Sequence, residues 1–236
     1  MEFEEYIITN INPQDDGVFI YQVKPKNKTE VFSFLPGQFA QIKNPSYQAS
    51  NKAHLFSISS SPNSKDHLQF CVKTYGFWTQ ALSKLQIGSI FLIKGPFGKF
   101  VWDSFLKNAV FLIGGVGVSP IMSMLRFIDE KNQTPILTLV YGNRMQHSIP
   151  FKEELDVLKL KIPNFKVIHV LSDLKPEDSW NGYKGFITEE ILNKEVNFEE
   201  KPIFFLCGPP IFVEKMSVLL KSFDVKEDTI KTELFS

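Results

Sequence analysis

The sequence has few cysteines and no excess of charge of either sign. Its 236 residues include two cysteines, Cys71 and Cys207, and 26 basic side chains against 26 acidic ones. Two distant thiols outside any Cys-x-x-Cys pair argue against a cysteine-bound zinc or iron–sulfur centre, which needs three or four close ligands. They give no reason to expect a disulfide scaffold, which favours a reducing compartment. A neutral chain also lacks the basic face expected for binding nucleic acid or an anionic membrane surface.

Long apolar runs and targeting signals are also missing. The longest uncharged stretch, residues 109–125, contains three glycines, a proline and two serines. It therefore predicts a strand, a turn and a helix, not a membrane span. The first five residues, Met1-Glu-Phe-Glu-Glu, are acidic where a secretory signal begins with basic residues. We therefore expect a cytoplasmic protein without a membrane span.

Phenylalanine is present in excess, since its 23 copies raise the aromatic content to 14%. One interpretation is a phenylalanine-rich core. The other is that some of the rings stack on a planar ligand. Composition alone does not separate the two, so the positions of the rings must do so.

The first hundred residues predict antiparallel β-structure. Short β-branched and aromatic runs are punctuated by proline and glycine, which is typical of a barrel or sandwich. Only residues 79–85 predict a short helix in this half. The runs begin at Tyr6, Val18, Gln38, His54, Leu68 and Ile90.

The pattern changes after a predicted turn, Gly95-Pro96-Phe97-Gly98. Apolar strands beginning at Val110, Ile136, Phe165 and Ile203 alternate with helices over 121–130, 152–159, around Glu189 and over 212–223. This alternation indicates βαβ units on a parallel sheet that is covered on both faces. We predict an antiparallel β-barrel domain over residues 1–103 and an α/β domain with a parallel sheet over residues 104–236.

The segment Gly114-Gly115-Val116-Gly117-Val118-Ser119-Pro120 follows an apolar strand and precedes a helix. Glycines there let backbone N–H groups approach a phosphate at a helix N-terminus. Ser119 is expected to cap that helix, with Pro120 at its first position. The spacing is not the full Gly-x-Gly-x-x-Gly fingerprint, so a tight strand-to-helix turn without a ligand stays an alternative.

Three further segments have both a functional and a purely structural interpretation. Cys207-Gly208-Pro209 follows the strand that begins at Ile203, and ligands of open parallel sheets bind beyond the carboxyl ends of strands. Alternation places His54 and Phe56 on one face of their strand and Ser57 on the other, unless the strand bends there. Gly76-Phe77-Trp78-Thr79 opens a short helix, an arrangement that suits a phosphate. A buried cysteine, a core ring and an ordinary turn are the structural interpretations.

Taken together and in this order, these segments resemble the ferredoxin–NADP reductase superfamily over almost the whole chain. His54-Leu55-Phe56-Ser57 is similar to the family's Arg-x-Tyr-Ser element, and the segment 76–79 to its Gly-x-x-Ser/Thr flavin-phosphate turn. Gly95-Pro96-Phe97-Gly98 is similar to its interdomain turn. The segment 114–120 resembles its pyridine-nucleotide loop and Cys207-Gly208-Pro209 its nicotinamide loop. Glu233-x-Phe235 resembles its acidic–aromatic terminus.

The resemblance implies a six-stranded antiparallel flavin barrel, a five-stranded parallel nucleotide domain, and hydride transfer from NAD(P)H to flavin N5. Ser57, Cys207 and Glu233 are the implied catalytic residues, with Ser57 near flavin N5 and Cys207 near nicotinamide C4. Phe56 is expected to stack on the flavin, FAD or FMN. The implied cofactor-binding residues are His54, Leu55, Phe56, Ser57, Val72, Lys73, Thr74, Gly76, Phe77, Trp78, Thr79, Gly114, Gly115, Gly117, Ser119, Pro120, Arg144, Asp173, Cys207, Gly208, Pro209 and Phe235. No metal site is expected.

Two departures from the family pattern affect the flavin. His54 stands where the family has arginine, and Phe56 where it has tyrosine. A neutral histidine in place of a bidentate cation weakens phosphate recognition. Lys73, Thr79 and the helix N-terminus are expected to compensate in part. We predict flavin binding that is weak and is lost on dilution.

The segment Val170-Leu171-Ser172-Asp173 bears on the choice between NADH and NADPH. Relatives that use NADPH commonly have Ser-Arg there, whereas Asp173 would repel a 2′-phosphate and accept a hydrogen bond from a ribose hydroxyl. The segment 180–186 is also similar to relatives that use NADH. Arg144 could still attract a phosphate, so NADPH stays an alternative to the favoured NADH.

Three functions are compatible with these residues, while the oligomeric state stays open. The first is a reductase that passes electrons from NADH through FAD to a separate acceptor protein. The second is a free-flavin reductase, in which flavin is a substrate and leaves after reduction. The third is a non-catalytic nucleotide-binding subunit, against which the presence of Ser57, Cys207 and Glu233 argues.

Overall fold

The computed structural model describes residues 2–47, 52–175 and 178–235. The chain forms two compact units. The first comprises residues 1–102 and 119–127, and the second comprises residues 103–118 and 128–236. The domain boundary between residues 103 and 104 stays a prediction.

The first unit contains an antiparallel sheet with six strands in its described residues. The strands are β1 (Glu4–Pro13), β2 (Val18–Pro25), β3 (Phe39–Lys43), β4 (His54–Ser57), β5 (Leu68–Lys73) and β6 (Ile90–Phe97). Their order is β4-β3-β6-β1-β2-β5, and every neighbouring pair is antiparallel. Just beyond β4, Ile58 bridges to Phe70 in β5, so the two edge strands meet. The predicted antiparallel barrel is confirmed.

The interior of this unit consists of one face of each strand, because successive side chains of a strand point to opposite sides. Tyr6 and Ile8 of β1, Val23 of β2, Phe70 of β5 and Phe91 of β6 are each at most 1% exposed. Several aromatic rings therefore belong to the core, as one interpretation of the phenylalanine excess predicted. The predicted short helix is α1 (Phe77–Leu82), which begins two residues earlier than expected.

The predicted turn at residues 95–98 is wrong over its first three residues, because β6 continues to Phe97. Phe39 of β3 pairs with Phe97, whereas Gln41 pairs with Lys94, so β6 has one residue more than β3 between these pairs. This irregularity is a β-bulge. Pro96 lies within it, and a bulge is one of the few places in a sheet that tolerate a residue without an N–H.

The second unit contains a parallel sheet in its described residues, with strand order β10-β9-β8-β7-β11-β12. The expected number of five strands is corrected to six. The extra strand, β10, has two residues, too few to give a period in the sequence. The strands are β7 (Asn108–Gly114), β8 (Ile136–Asn143), β9 (Phe165–Leu171), β10 (Tyr183–Lys184), β11 (Ile203–Gly208) and β12 (Ile230–Leu234).

Helices connect the strands of this sheet, as the alternating pattern predicted. They are α2 (Val118–Glu130), α3 (Lys152–Lys161), α4 (Glu189–Glu195) and α5 (Pro210–Lys221). Val110, Phe111, Leu112 and Ile113 of β7 are successive and all buried, so both faces of this central strand are covered. A strand of this kind is fully apolar rather than alternating. The predicted α/β architecture is confirmed. No helix in the described part of the chain is long and apolar enough to span a bilayer.

Candidate cofactor sites

An aromatic cluster joins β4 to α1 in the first unit. The ring of His54 stacks on Trp78 with centroids 4.1 Å apart, and Phe56 stacks on the same indole at 5.7 Å. His54 and Phe56 therefore share a face of β4, as alternation predicted, and Ser57 is buried. Leu55 lies between the two rings in sequence and is exposed. The cluster fixes one wall of the candidate flavin site.

The stack also determines the charge of His54. Burial, reinforced by the positive charge of Lys52, lowers the pKa of the imidazole below its usual value near 6.5. His54 is therefore neutral at pH 7. A neutral imidazole offers a phosphate one N–H donor and no charge, whereas an arginine would offer a charged fork of donors.

The turn before α1 is held together by the hydroxyl of Thr79. This oxygen accepts hydrogen bonds from the backbone N–H groups of Tyr75 and Gly76 at 2.8 and 3.0 Å, and it donates to the Gly76 carbonyl. A Cβ on Gly76 would have no heavy atom within 4 Å, so the space beside the turn is open. Phe77 is exposed, whereas the side chain of Trp78 is buried. The first turn of a helix leaves backbone N–H groups without intrahelical partners, and these groups fit a phosphate.

The end of β5 shows which partners already hold Lys73 and Thr79, the two side chains expected to compensate in part for the missing arginine. The Lys73 ammonium lies 2.6 Å from a carboxylate oxygen of Asp16, so its charge is already paired. Thr74 donates to the Gly17 carbonyl from both its N–H and its hydroxyl, and Val72 is buried. The charge of Lys73 is therefore balanced by Asp16, and the hydroxyl of Thr79 is bound inside its own turn. The turn fits a phosphate mainly through backbone groups.

In the second unit, two of the predicted loops come into direct contact. A Cβ on Gly117 would lie 2.4 Å from the carbonyl oxygen of Cys207 and 3.0 Å from the nitrogen of Gly208. Real Cβ atoms essentially never approach so closely. Glycine at position 117 therefore allows the glycine-rich loop and the Cys-Gly-Pro loop to form one site at the carboxyl ends of β7 and β11.

Neighbouring side chains support these loops, and sequence reasoning missed them. The Tyr141 hydroxyl donates to the Gly115 carbonyl at 2.8 Å. Gly115 has φ +54°, in the left-handed region that favours glycine. The Phe212 ring would lie 3.0 Å from a Cβ on Gly208 and 3.2 Å from one on Gly114. Residues 141–144 stand in the sequence as Tyr-Gly-Asn-Arg, but the sequence does not show which atom the Tyr141 hydroxyl reaches.

Asn143 is a second residue that was missed. Its side chain is buried at the carboxyl end of β8, and its amide nitrogen has no hydrogen-bond partner among the described residues. Buried donors without a partner are few in native proteins, and this one lies at the carboxyl end of a parallel strand, where ligands of such sheets bind. Asn143 is therefore a further candidate to contact a nucleotide.

The expected roles of Ser119 and Pro120 at the helix start are corrected. Helix α2 begins at Val118, so Ser119 is its second residue and not its cap, and Pro120 is its third. Both are buried, and Ser119 is hydrogen-bonded to the Cys71 thiol, which belongs to the same unit. Residues 115–117 form a short 3₁₀ turn between β7 and α2, and this turn displaces the predicted cap.

Cys207 and Glu233 are neighbours in register on β11 and β12. Burial, followed by the negative charge of Glu233, raises the pKa of the Cys207 thiol well above its usual value near 9. The thiol therefore stays protonated and uncharged. The backbone N–H of Phe235 donates to the Gly208 carbonyl at 3.1 Å, which holds the end of the described chain beside the same loop. Pro209 follows Gly208 and precedes the first residue of α5.

Arg144 and Asp173, which the sequence singled out separately, form an ion pair. The Arg144 guanidinium lies 2.8 Å from a carboxylate oxygen of Asp173, and both side chains are more than half exposed. The backbone N–H of Asp173 also donates to the Arg144 carbonyl. The carboxyl ends of β8 and β9 thus present a neutral pair where each residue alone would present a charge.

Comparisons with known proteins assign families to both parts of the chain. Residues 9–102 match the family model described as "Oxidoreductase FAD-binding domain". Residues 111–217 match the one described as "Oxidoreductase NAD-binding domain".

Two curated relatives have a similar sequence. The chain is 26% identical to the anthranilate 1,2-dioxygenase electron transfer component of Acinetobacter baylyi, over 97% of this chain and 66% of the relative. It is 30% identical to the 2-halobenzoate 1,2-dioxygenase electron transfer component of Burkholderia cepacia, over 83% of this chain and 56% of the relative. The chain thus spans between about half and two thirds of the length of these two relatives.

A solved structure has the same fold at low sequence identity. The FAD/NAD-binding domain of nitric oxide dioxygenase from Vibrio cholerae has a TM-score of 0.86 and 19% identity. The similarity covers 100% of this chain and 99% of that domain. The similarity of fold therefore includes both units of this chain.

Proposed function

The chain belongs to the ferredoxin–NADP reductase superfamily of FAD- and NAD-binding oxidoreductases, and from that premise we propose that it is an NADH-dependent flavoprotein reductase that passes electrons to a separate acceptor protein. The contact of Gly117 with Cys207 is the observation that carries this proposal. It brings the glycine-rich loop, which suits a dinucleotide phosphate, against the Cys-Gly-Pro loop, which bears the candidate nicotinamide residue Cys207. Two similar proteins are electron transfer components of dioxygenases, which supports the separate acceptor.

The described residues fit both cofactors. When bound, NADH and FAD supply hydride transfer and the onward release of electrons. Phe56 is proposed to pack along the flavin ring, where stacking contributes roughly 1–3 kcal/mol. Ser57 is proposed to hydrogen-bond near flavin N5. The first-turn N–H groups of α1 would bind a flavin phosphate.

The second unit supplies the nucleotide contacts in this proposal. Backbone N–H groups of residues 115–117 would bind the pyrophosphate, with Tyr141 holding the Gly115 carbonyl in place. Cys207 is proposed to line the nicotinamide. Because its thiol is protonated, it adds no negative charge there. Glu233, its register neighbour, is the proposed acidic residue of the site.

The ion pair between Arg144 and Asp173 supports NADH over NADPH. Its arginine is neutralised, and its carboxylate would repel a 2′-phosphate while accepting a hydrogen bond from a ribose hydroxyl. We propose that NADH gives the higher kcat/KM. A clearly higher value with NADPH would contradict this proposal.

A free-flavin reductase is the second candidate, and the state of Lys73 and His54 favours it. Lys73 is paired with Asp16, and His54 is neutral. Few charges are thus left to retain a flavin phosphate. Weak retention would allow flavin to enter and leave as a substrate.

One titration discriminates between the two candidates. The protein is mixed with NADH and increasing FAD or FMN, and the oxidation of NADH is followed with and without a one-electron dye. Dye reduction that saturates at stoichiometric flavin supports the acceptor-linked reductase. Turnover that rises with excess flavin and needs no dye supports the free-flavin reductase. No oxidation of NADH with either flavin would contradict both.

We also propose a cytoplasmic location for the protein. Both cysteines are buried and neither forms a disulfide, which suits a reducing compartment. Fractionation of cells that express the native gene, followed by immunodetection, tests this proposal. Recovery from any other compartment would contradict it.

A further inference from the structure

A cavity of about 520 Å³ lies along the open edge of the parallel sheet. Strand β10 pairs only with Val170 and Leu171, so it leaves the earlier part of β9 uncovered. The cavity occupies that uncovered stretch and has the size of typical small-molecule sites. Its wall includes Lys159, Lys166, His169, Trp180, Tyr183 and Glu195.

His169 is one of the residues that line this cavity. Both of its ring nitrogens are buried and have no hydrogen-bond partner among the described residues. Burial, reinforced by the charge of Lys152, lowers the pKa of His169 to about 4, so the ring is neutral at pH 7. Because both nitrogens have almost no accessible surface, His169 meets a ligand in the cavity with the uncharged carbon surface of its ring.

The indole of Trp180 also lines the cavity beside His169, whereas Tyr141 is buried behind that histidine. Trp180 meets His169 edge-on, with ring centroids 6.2 Å apart. The indole is fixed in place, because its N–H donates to the Tyr183 carbonyl at 3.1 Å. Tyr141 packs against His169 at 5.9 Å. A fixed indole favours a planar ring, which loses little entropy on binding.

The charges around the cavity leave a positive excess. Glu195 forms an ion pair with Lys166 and accepts a hydrogen bond from the Tyr183 hydroxyl at 2.5 Å, so its charge is neutralised. Lys159 on α3 has no ion-pair partner among the described residues. An anionic group on the ligand would therefore be attracted to Lys159.

We propose that this cavity binds an organic anion that carries a planar ring. The ring lies against Trp180 and His169, and the anionic group lies at Lys159. The site is separate from the proposed nucleotide site, since the cavity follows residues 166–169 of β9 whereas Asp173 lies beyond the end of that strand. The proposal does not depend on the proposed reductase activity.

Isothermal titration calorimetry with benzoate as the probe tests this site on the full chain. We expect one benzoate per chain with a Kd of about 1 mM, the range of a small fragment. Cyclohexanecarboxylate has the same charge without the planar ring, and inorganic phosphate is an anion without a ring. We expect both to bind at least about 5-fold more weakly. Absence of benzoate binding, or equal binding of either control, would overturn the proposal.

Two variants and one competition locate the bound probe. Lys159→Gln is expected to weaken benzoate binding about 5-fold, because it removes a charge at the cavity. Lys161→Gln makes the same charge change on α3 outside the cavity wall, where Lys161 faces Asp129, and is expected to leave the Kd unchanged. Saturating NAD⁺ is also expected to leave it unchanged. Equal effects of the two variants, or displacement by NAD⁺, would overturn the assignment.

Discussion

The backbone of Gly117 lies directly against the carbonyl group of Cys207, so that a Cβ on residue 117 would stand 2.4 Å from its oxygen and 2.7 Å from its carbon. Both partners in this contact are backbone, so a side chain cannot move aside to make room for a Cβ. The contact depends on residue 117 having no Cβ. It holds together two loops that are remote in the sequence.

Gly117→Ala is expected to weaken NADH binding by about 10-fold, because overpacking costs roughly 1–3 kcal/mol and must here displace one of the two loops. NADH affinity is measured by titration, and the thermal midpoint is recorded in parallel. Gly142→Ala is the matched control, because its Cβ would meet its nearest neighbours at 3.7–3.8 Å, an ordinary contact. If the two substitutions weaken NADH binding equally, the contact between Gly117 and Cys207 does not determine the affinity for NADH.

Asp173→Asn is expected to change the preference between nicotinamide cofactors. The substitution keeps the size of the side chain, releases Arg144 from its ion pair and removes a charge that repels a 2′-phosphate. We expect the ratio of kcat/KM for NADPH to that for NADH to rise about 10-fold or more, equivalent to about 1.4 kcal/mol. The double variant with Arg144→Gln should lose most of this gain. An unchanged ratio in the single variant would show that the ribose 2′-position of the cofactor does not bind beside Asp173.

His54→Arg is expected to tighten flavin binding. An arginine at this position would supply the charged donors that neutral His54 lacks, and charge-assisted hydrogen bonds contribute about 1.5–3 kcal/mol. Flavin fluorescence titration should therefore give a Kd lower by about 10-fold or more. His67→Arg makes the same change beside Asp66 and should leave the flavin Kd unchanged. Stoichiometric flavin that stays on the wild-type protein through extensive dialysis would contradict weak flavin binding.

Tyr141→Phe tests whether the hydroxyl positions the glycine-rich loop. The substitution removes the hydrogen bond to the Gly115 carbonyl, worth about 0.5–1.5 kcal/mol, and should raise KM for NADH about 3- to 10-fold with little change in kcat. Tyr21→Phe is the control, because its buried hydroxyl has no hydrogen-bond partner among the described residues. A fall in kcat with KM unchanged would assign Tyr141 a different role.

The stability of the protein should depend on His169 at acidic pH. Its pKa is lowered to about 4 in the folded chain, so the unfolded chain binds more protons between pH 4 and pH 6.5. The part of the free energy of unfolding that depends on a neutral His169 is fully present above about pH 6.5. It is lost progressively as the pH falls towards 4. We therefore measure the free energy of unfolding of His169→Phe and of wild type by urea unfolding at pH 5 and pH 7. The difference between the two proteins should favour the variant more at pH 5 than at pH 7. A pH-independent difference between the two proteins would contradict the lowered pKa.

The architecture of both units was predictable because it depends on local periodicity. An alternating run such as the one at Leu68 predicts a strand with one buried face. A fully apolar run such as the one at Val110 predicts a strand that is buried on both faces. The two-residue strand β10 gives no period and was missed. Pro96 predicted a turn, but the bulge in β6 accommodates it, and pairing with β3 determines that bulge rather than any local signal.

The candidate site was predictable in its motifs but not in its pairings. Lys73 and Asp16 are 57 residues apart, and Arg144 and Asp173 are 29 apart. No local pattern shows that these charges neutralise each other. The same reason hides the Tyr141 hydrogen bond to Gly115, because it depends on how β8 lies beside β7 in the sheet.

Transfer of electrons from NADH through bound flavin is measured by anaerobic rapid mixing. Protein loaded with saturating FAD is mixed with NADH or NADPH, and the absorbance of oxidised flavin is followed before a one-electron dye is added. We expect loss of this absorbance with NADH, faster than with NADPH, and its recovery as the dye is reduced. Unchanged flavin absorbance with both nucleotides, in protein shown to bind FAD, would contradict it.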